Sequence, residues 1–366
     1  MTYDAILLTS FGGPEGPDDV MPYLERVTAG RGVPRERLIE VSHHYMALGG
    51  VSPINEQNRS LLKALKNRFP ERGIEIPIYW GNRNSEPYFE DVIREMYEAG
   101  HRRVLAWVTS AYSSYSGCRQ YRENLHQALA VNDLLGKMTI DKVRHYFDHP
   151  GFLEPVVEDL VEKLGKHLEH GVKPDQIRVM FATHSIPNTM GETSGPPIRR
   201  EEFSKPGGAY EAQHLAAGEL VIGMALQRLG LDEISWELVY QSRSGSPEIP
   251  WLEPDVNDAI VGAKAAGFEL VVVVPIGFVS DHVEVIWDLD NEAKETAEEQ
   301  GIAFERVATA GVHSAFVDGI AELILERLDT SPKRALSSLG PWPDFCALNC
   351  CPNSRRDLPT VAEASS

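Results

Sequence analysis

Acidic side chains recur at helical spacing directly after an apolar run. Residues 269–276 read ELVVVVPI, which predicts a strand buried on both faces, and residues 277–295 continue as GFVSDHVEVIWDLDNEAKE. Spacings of three and four place five carboxylates on one helical stripe: Asp281, Glu284, Asp288, Glu292 and Glu295. Because like charges four apart repel by roughly 0.2 to 0.5 kcal/mol per pair, this stripe is either a tolerated solvent face or a surface that handles cations.

A histidine stands at the end of another predicted strand. The run QIRVMFAT leads to His184, which Ser-Ile-Pro follows. A lone histidine is more often a satisfied polar residue than a functional one. If the two strand ends are neighbours, however, His184 and Glu284 face one pocket, where they can share protons or hold a metal. A row of carboxylates beside an imidazole suits a divalent first-row metal in transit.

Four cysteines form a second group of residues that can bind a metal or react. Cys346, Cys350 and Cys351 are close together near the end of the chain, while Cys118 lies far earlier in a predicted strand-end loop. By count, four thiolates suit a [2Fe-2S] cluster and a zinc ion equally, and the spacing matches neither a zinc ribbon nor the plant-type ferredoxin run. Buried thiols without a ligand remain an alternative.

Charge and composition exclude several classes of function. The chain has 54 acidic and 35 basic residues and a formal charge of -19, which opposes binding to nucleic acid or to an anionic bilayer. No apolar run approaches the ~20 residues that span a bilayer, and the start lacks the features of a signal peptide. We therefore expect a cytoplasmic protein that is not an integral membrane protein. The glycines of SFGGPEG do not fit a nucleotide-binding loop, so no nucleotide is expected.

Strands and helices alternate along the chain. Six apolar runs predict strands: YDAILLTS, EIPIYWG, RVLAWVTSAY, QIRVMFATHS, ISWELVYQS and ELVVVVPIG. Helical patterns cover 56–69, 86–99, 153–170, 212–229, 255–266 and 313–328. This order predicts an α/β protein with doubly wound parallel sheets. Three strands in each half suggest similar domains at 1–150 and 151–330, and residues 331–366 form a cysteine-bearing extension that frays beyond about residue 357.

Three loops carry further polar or aromatic residues. RVLAWVT is followed by a loop that ends at Tyr115, and a proline-rich loop carries Trp251, which either anchors packing or flanks a flat apolar ligand. Residues 43–58 contain Tyr45 and Ser52 among flexible glycines. These side chains either bind carboxylates at the rim of a site or cap the helix that follows.

Three motifs together resemble those of the ferrochelatases: FATHSIP, YQSRSGSPEIPWLEP and PIGFVSDHVEVIWDLD. The likeness extends over about residues 3 to 330. It implies two Rossmann-like domains with a cleft between them, in which Fe2+ enters a porphyrin and no nucleotide is bound. It also implies that His184 is the invariant histidine and Glu284 the catalytic carboxylate, with Asp288 and Glu292 continuing the metal path. One of the pair accepts pyrrole protons and the other ligates iron.

The tail resembles that of the actinobacterial ferrochelatases, which carry a [2Fe-2S] cluster. The resemblance assigns its ligands to Cys118, Cys346, Cys350 and Cys351. It also favours coproporphyrin III as the substrate, with Arg31, Tyr45, Ser52 and Tyr121 at positions that contact propionates. From their loops, we expect Tyr115 and Trp251 to be further porphyrin contacts. Phe11 stands where some bacterial members have a tyrosine, which puts a phenolate ligand in doubt.

These observations predict a coproporphyrin III ferrochelatase that acts as a monomer and makes transient contacts with neighbouring enzymes of haem synthesis. Two alternatives remain open at this point. One is a protoporphyrin IX ferrochelatase, and the other is a non-catalytic tetrapyrrole-binding protein that senses iron or redox state. A cobalt chelatase for sirohydrochlorin is a third option, but it gives no reason for the loop that carries Trp251.

Overall fold

Two parallel four-stranded sheets form the framework of the protein. The structure is a computed structural model, and it describes residues 3–30, 32–203, 206–244, 248–328 and 331–363. The first sheet contains β1 Ala5–Ser10, β2 Ile78–Asn82, β3 Arg103–Val108 and β4 Thr139–Lys142. The second contains β5 Ile177–His184, β6 Ser235–Gln241, β7 Leu270–Val274 and β8 Ala303–Arg306.

Both sheets have the same strand order. The first runs β2-β1-β3-β4 and the second β6-β5-β7-β8, and every neighbouring pair is parallel. The predicted α/β class with parallel sheets is therefore confirmed. The sequence did not reveal the edge strands β4 and β8, because each has four residues and neither is as apolar as the six predicted strands.

Twelve α-helices surround the sheets in the described part of the chain. They are α1 Pro17–Val27, α2 Arg35–Ala47, α3 Ile54–Glu71, α4 Phe89–Glu98, α5 Gln120–Val131, α6 Pro150–Glu169, α7 Asn188–Glu192, α8 Gly208–Leu229, α9 Val256–Ala265, α10 Val283–Val285, α11 Lys294–Gln300 and α12 Ser314–Arg327. All six predicted helices are present, with small shifts at their ends. Short π-helices at Tyr115–Arg119 and Ile286–Ala293 were not predicted.

The two sheets share one hydrophobic core. It contains Leu8 and Trp107 of the first sheet and Val179 and Phe181 of the second. Helices α6 and α12 pack within it. They cross so closely that a Cβ added at Gly151 would lie 2.7 Å from Cα of Gly319. This shared core holds the carboxyl ends of both sheets in a fixed relation. The proposed boundary at residue 150 remains a prediction.

The end of the chain does not fray where the sequence suggested. Arg122 of α5 donates from Nε to the carbonyl of Val361 at 2.8 Å, and Cys346 forms a parallel bridge with Glu363. The prediction of a frayed tail beyond residue 357 is therefore wrong for residues 358–363. The composition is polar, but a buried guanidinium on α5 provides the hydrogen bonds that order this segment. Among the described residues, no helix has the length and apolarity needed to cross a bilayer.

Candidate functional site

His184 and Glu284 lie side by side, although a hundred positions of chain separate them. Nε2 of His184 is 3.9 Å from Oε2 of Glu284, and the two side chains are 36% and 48% exposed. His184 is the last residue of β5, while Glu284 lies in α10 after the neighbouring strand β7. The predicted convergence of the two strand ends is therefore confirmed. Partial exposure leaves both groups accessible to a ligand.

Hydrogen bonding fixes which nitrogen of His184 is free. Nδ1 lies 2.5 Å from the carbonyl oxygen of Ser185, and since a carbonyl accepts, Nδ1 must carry the proton. In the neutral ring, Nε2 then presents its lone pair toward Glu284. A nitrogen in this state can accept a proton or bind a metal ion.

Gln241 and Ser242, which the sequence analysis did not select, connect the histidine strand to the acidic helix. The carbonyl of Gln241 accepts from the amide of Ser185 at 2.8 Å, and its Nε2 lies 3.2 Å from Oδ2 of Asp288. The hydroxyl of Ser242 also donates to Oδ2 of Asp288. Ligands bind at the carboxyl ends of parallel strands, and this rule, which pointed to His184, also points to Gln241. Gln241 ends β6 directly beside His184.

Asp288 is poised to change charge near neutral pH. Burial raises the pKa of Asp288 to about 7, and the neighbouring carboxylates Glu284 and Glu292 also raise it, while Ser242 acts in the opposite direction. A carboxyl group with this pKa can take up or release a proton under physiological conditions.

The acidic segment is π-helical where the carboxylates line up. The π-helix Ile286–Ala293 follows α10 and continues into α11, so helical structure runs from 283 to 300. Leu289 and Ala293 are buried on its inner face, as the sequence predicted. π-Helical turns are frequent at functional sites. Glu292, farther along this helix, accepts from Nε1 of Trp287 at 2.8 Å, and Trp287 stacks on His44 at 4.4 Å.

Asp281 does not belong to the acidic stripe, which corrects the expectation of five carboxylates on one helix. The helix begins at Val283, and Asp281 instead binds Arg306 through both carboxylate oxygens at 3.1 and 3.2 Å. Arg306 also binds Asp290, so its charge is shared between two acids. The amide of Asp281 donates to Oε1 of Gln57 at 2.9 Å, which joins this segment to α3.

Three aromatic side chains form a row beside the site: Phe11 directly after β1, Tyr23 on α1 and Tyr45 on α2. Phe11 packs edge-on against Tyr23 with ring centroids 6.4 Å apart, and Tyr23 lies 5.8 Å from Tyr45. Burial raises the pKa of both tyrosines, and the charge of Glu284 raises it further, which places both rings near that carboxylate. Tyr23 was missed because in the sequence it is simply one apolar position of an amphipathic helix.

Two other residues proposed at the porphyrin rim, Ser52 and Tyr121, are both buried. Ser52 is 4% exposed, and its amide donates to the carbonyl of Pro14. Tyr121 is 3% exposed within the first sheet's core, and the guanidinium of Arg83 lies 4.7 Å from its ring centre. In this conformation Tyr121 offers little surface to a ligand. Arg31 lies outside the described residues.

The loop that carries Trp251 runs beside the segment after His184. Leu252 donates its amide to the carbonyl of Ile186 at 3.0 Å, and Asn188 donates to Pro250 at 3.0 Å. Nε1 of Trp251 is buried and has no hydrogen-bond partner among the described residues. This loop therefore lies next to the histidine segment, and a contact of Trp251 with a ligand remains a prediction.

All four cysteines meet in one buried cluster. The sulfurs of Cys118 and Cys346 are 3.8 Å apart and those of Cys350 and Cys351 are 3.9 Å apart; each of the four residues is at most 6% exposed. All four are free thiols. Tyr115 lies at this end of the protein, where its hydroxyl accepts from Nδ2 of Asn353 at 2.8 Å.

Two buried cations adjoin the cysteine cluster. Lys142 is 3% exposed, donates to the carbonyl of Val143 at 2.9 Å and forms no salt bridge within the described residues. Its charge acts on Cys118 and Cys346 and favours their thiolate forms. Arg122 is 1% exposed and interacts electrostatically with Cys118, Cys346 and Cys350. Buried positive charge of this kind requires compensating negative charge nearby.

Comparison with known proteins places the chain in a family. The ferrochelatase family model matches residues 3–328, which is most of the chain. The chain belongs to the ferrochelatase family. The match covers both sheets, the histidine strand and the acidic helix.

Individual relatives match over almost their whole length. The coproporphyrin III ferrochelatase of Leifsonia xyli subsp. xyli is 50% identical over 99% of this chain and 94% of its own. That of Streptomyces coelicolor is 51% identical over 100% and 97%. The ferrochelatase of Rhodopirellula baltica is 48% identical over 98% and 96%. SirB from Bacillus subtilis, solved with Fe3+, matches the fold with a TM-score of 0.50 at 10% identity, covering 89% of this chain and 95% of its own.

Proposed function

We propose that this family member is a coproporphyrin III ferrochelatase, which inserts Fe2+ into coproporphyrin III. The observation that carries the proposal is the half-exposed pair of His184 and Glu284, 3.9 Å apart, with the lone pair of Nε2 free. Full-length relatives at about half identity bear the name of this activity. The expected cytoplasmic location and the transient contacts with other haem enzymes remain part of the proposal.

The reaction requires that protons leave as the metal enters. Two pyrrole N–H groups lose their protons, Fe2+ takes their place among the four ring nitrogens, and two protons are released. Nε2 of His184 is the base that takes a pyrrole proton, because Nδ1–H is committed to Ser185. Partial exposure of the ring lets this proton pass to water.

The carboxylates supply the cation path. Glu284 stands closest to the histidine, and Asp288 and Glu292 follow at intervals of four on the π-helix. Among the described residues, His184 and these carboxylates do not form a group of three or more side chains arranged to hold one ion. A site without a closed coordination shell suits a metal that passes through as substrate, because a complete set of protein ligands would hold it.

One assay tests the activity and the preferred porphyrin together. The purified protein is mixed anaerobically with Fe2+ and either coproporphyrin III or protoporphyrin IX, and the absorbance of the metallated product is followed. We expect faster turnover of the tetracarboxylate. Faster turnover of the dicarboxylate would reassign the substrate, and no product from either porphyrin would overturn the enzymatic function.

A pair of histidine variants tests the site. His184→Ala is expected to abolish insertion while porphyrin binding, measured by fluorescence quenching, persists. His170→Ala is the matched control, since His170 is exposed at the end of α6 and bonds the carbonyl of Lys166. Unchanged insertion by His184→Ala would exclude this site.

The four cysteines would hold a [2Fe-2S] cluster. Two sulfurs bound at about 2.3 Å to one tetrahedral metal ion lie about 3.8 Å apart, and both cysteine pairs have nearly this separation. Two pairs suit two irons, each of which takes two thiolates from the protein. The buried charges of Lys142 and Arg122 would balance the thiolates. When bound, the cluster would supply redox-active iron and a cross-link between the tail and the π-helix that precedes α5.

Spectra and unfolding test the cluster and its structural role. The protein as purified is expected to be brown, and Cys350→Ser should lose this chromophore and unfold at lower denaturant concentration. A colourless wild-type protein that contains zinc would favour the single-ion alternative. If Cys350→Ser loses the colour but keeps full stability, the cluster does not pin the tail.

A further inference from the structure

Tyr210 of α8 touches the main chain of His184. Its hydroxyl donates to the carbonyl oxygen of His184 at 2.8 Å, and the residue is 6% exposed. This peptide ends β5 and leads directly to Ser185, whose carbonyl sets the tautomer of the histidine ring. The phenol therefore acts on the piece of backbone that aims Nε2 at the cleft.

The proton of this hydroxyl has two possible acceptors. Oγ1 of Thr183 lies 2.8 Å from the hydroxyl of Tyr210 and 2.9 Å from Nε2 of His214. His214 donates from Nδ1 to the carbonyl of Tyr210 at 2.7 Å, so its Nε2 accepts the proton of Thr183. Tyr210 then shares one proton between His184 and Thr183.

The start of α8 is tied to the cysteine cluster. Oγ of Ser194 accepts from the amide of Tyr210 at 2.9 Å, and the next amide, that of Gly195, donates to the sulfur of Cys351 at 3.1 Å. The loop that contains Ser194 packs tightly on α8. A Cβ added at Gly208 would lie only 2.1 Å from the carbonyl oxygen of Gly191. A continuous path of contacts thus runs from Cys351 through Ser194 and Tyr210 to His184.

We propose that Tyr210 is a positioning residue for His184, through which the cysteine-bearing tail controls the geometry of the site. The inference rests on the proposed function for its catalytic readout. When the tail is in place, the loop at Ser194 holds α8 so that the phenol bonds the carbonyl of His184. When the tail is displaced, this bond is weakened and Nε2 turns away from Glu284.

Two tyrosine variants test the positioning role. Tyr210→Phe is expected to lower kcat about 10- to 100-fold with little change in KM for the porphyrin, since misplacement of a reacting group affects the chemical step. Tyr240→Phe is the matched control, because Tyr240 is 2% exposed on neighbouring β6 and its hydroxyl has no hydrogen-bond partner among the described residues. Equal losses in both variants, or a higher KM with unchanged kcat, would overturn the proposal.

A second pair of variants, at Thr183, tests the same network if Tyr210→Phe does not fold. Thr183→Val removes the hydroxyl that shares the proton, whereas Thr183→Ser keeps it. We expect Thr183→Ser to retain the wild-type kcat and Thr183→Val to lower it, with circular dichroism unchanged in both. Identical kcat values in the two variants would contradict the network.

Nuclear magnetic resonance tests the coupling from Ser194 through Tyr210 to His184 without substrate iron or porphyrin. The ring signal of His184 is assigned by its absence in His184→Ala. It is then compared in two pairs. The first pair is wild type and Ser194→Ala, and the second is Tyr210→Phe and the double variant that carries both Ser194→Ala and Tyr210→Phe. Ser194→Ala should shift the signal in the first pair and leave it unchanged in the second. The same shift in both pairs would show that Tyr210 does not carry the coupling. Because this readout needs no turnover, its outcome is independent of the proposed activity.

Discussion

Gln241 lies within hydrogen-bond distance of Asp288, with Nε2 of the amide 3.2 Å from Oδ2 of the carboxyl group. The same residue accepts from Ser185 through its carbonyl, so one side chain and one peptide connect the histidine strand to the acidic helix. The distance between the proposed base and the proposed metal path is therefore set by β6, which lies outside the motifs that contain them.

The raised pKa of Asp288 predicts a pH-dependent stability. Folding holds a proton on Asp288 up to about pH 7, whereas an unfolded aspartate loses it near pH 3.9. Within this window the folded state binds more protons, so stability falls as pH rises and levels off above about 7. Asp288→Asn should lack this decline. Urea unfolding of both metal-free proteins from pH 5 to 8 measures it, and parallel curves would contradict the shift.

Arg306 should be important for stability because two carboxylates depend on it. Its side chain is 16% exposed and bonds Asp281 and Asp290, so Arg306→Gln is expected to cost about 2 kcal/mol of unfolding free energy. Arg94→Gln is the control, since Arg94 and Asp91 are both more than half exposed and such pairs contribute about 0 to 1 kcal/mol. Chemical denaturation measures both, and equal costs would refute the distinction.

Gly277 should not tolerate a methyl group. A Cβ there would lie 2.2 Å from Oγ1 of Thr183, which belongs to the network behind His184. Gly277→Ala is therefore expected to lower both the melting temperature and the rate of metal insertion. Gly262→Ala is the contrast: it lies in α9 with open space around the new atom, so it should stabilise the protein by about 0.5 to 1 kcal/mol. A neutral Gly277→Ala would show that Thr183 can move aside.

Lys142 should tune the proposed cluster. A buried cation stabilises the more negative, reduced state, so Lys142→Met is expected to lower the reduction potential of the cluster. A potentiometric titration followed by electron paramagnetic resonance measures the change. Lys137→Met on the exposed surface is the control. An unchanged or higher potential in Lys142→Met would show that the ammonium group does not act on the cluster.

The sequence predicted those parts of the fold and site that follow from local patterns. Apolar strand runs and helical periodicity gave six of the eight described strands, and the rule of carboxyl strand ends brought His184 and Glu284 together. The same information could not exclude Asp281 from the acidic stripe, because its partner Arg306 lies on a short strand with a weak pattern. Tyr23, Ser242 and Tyr210 also escaped notice, since their roles depend on packing between distant segments.

The meeting of Cys118 with the tail has a consequence for biosynthesis. Cys346 lies 228 positions after Cys118, so a ribosome makes every strand of both sheets before the two sulfurs can come together. Loading of the proposed cluster would then follow synthesis of both sheets. Truncation before Cys346 would leave Cys118 as an isolated thiol on a molecule that still contains both sheets.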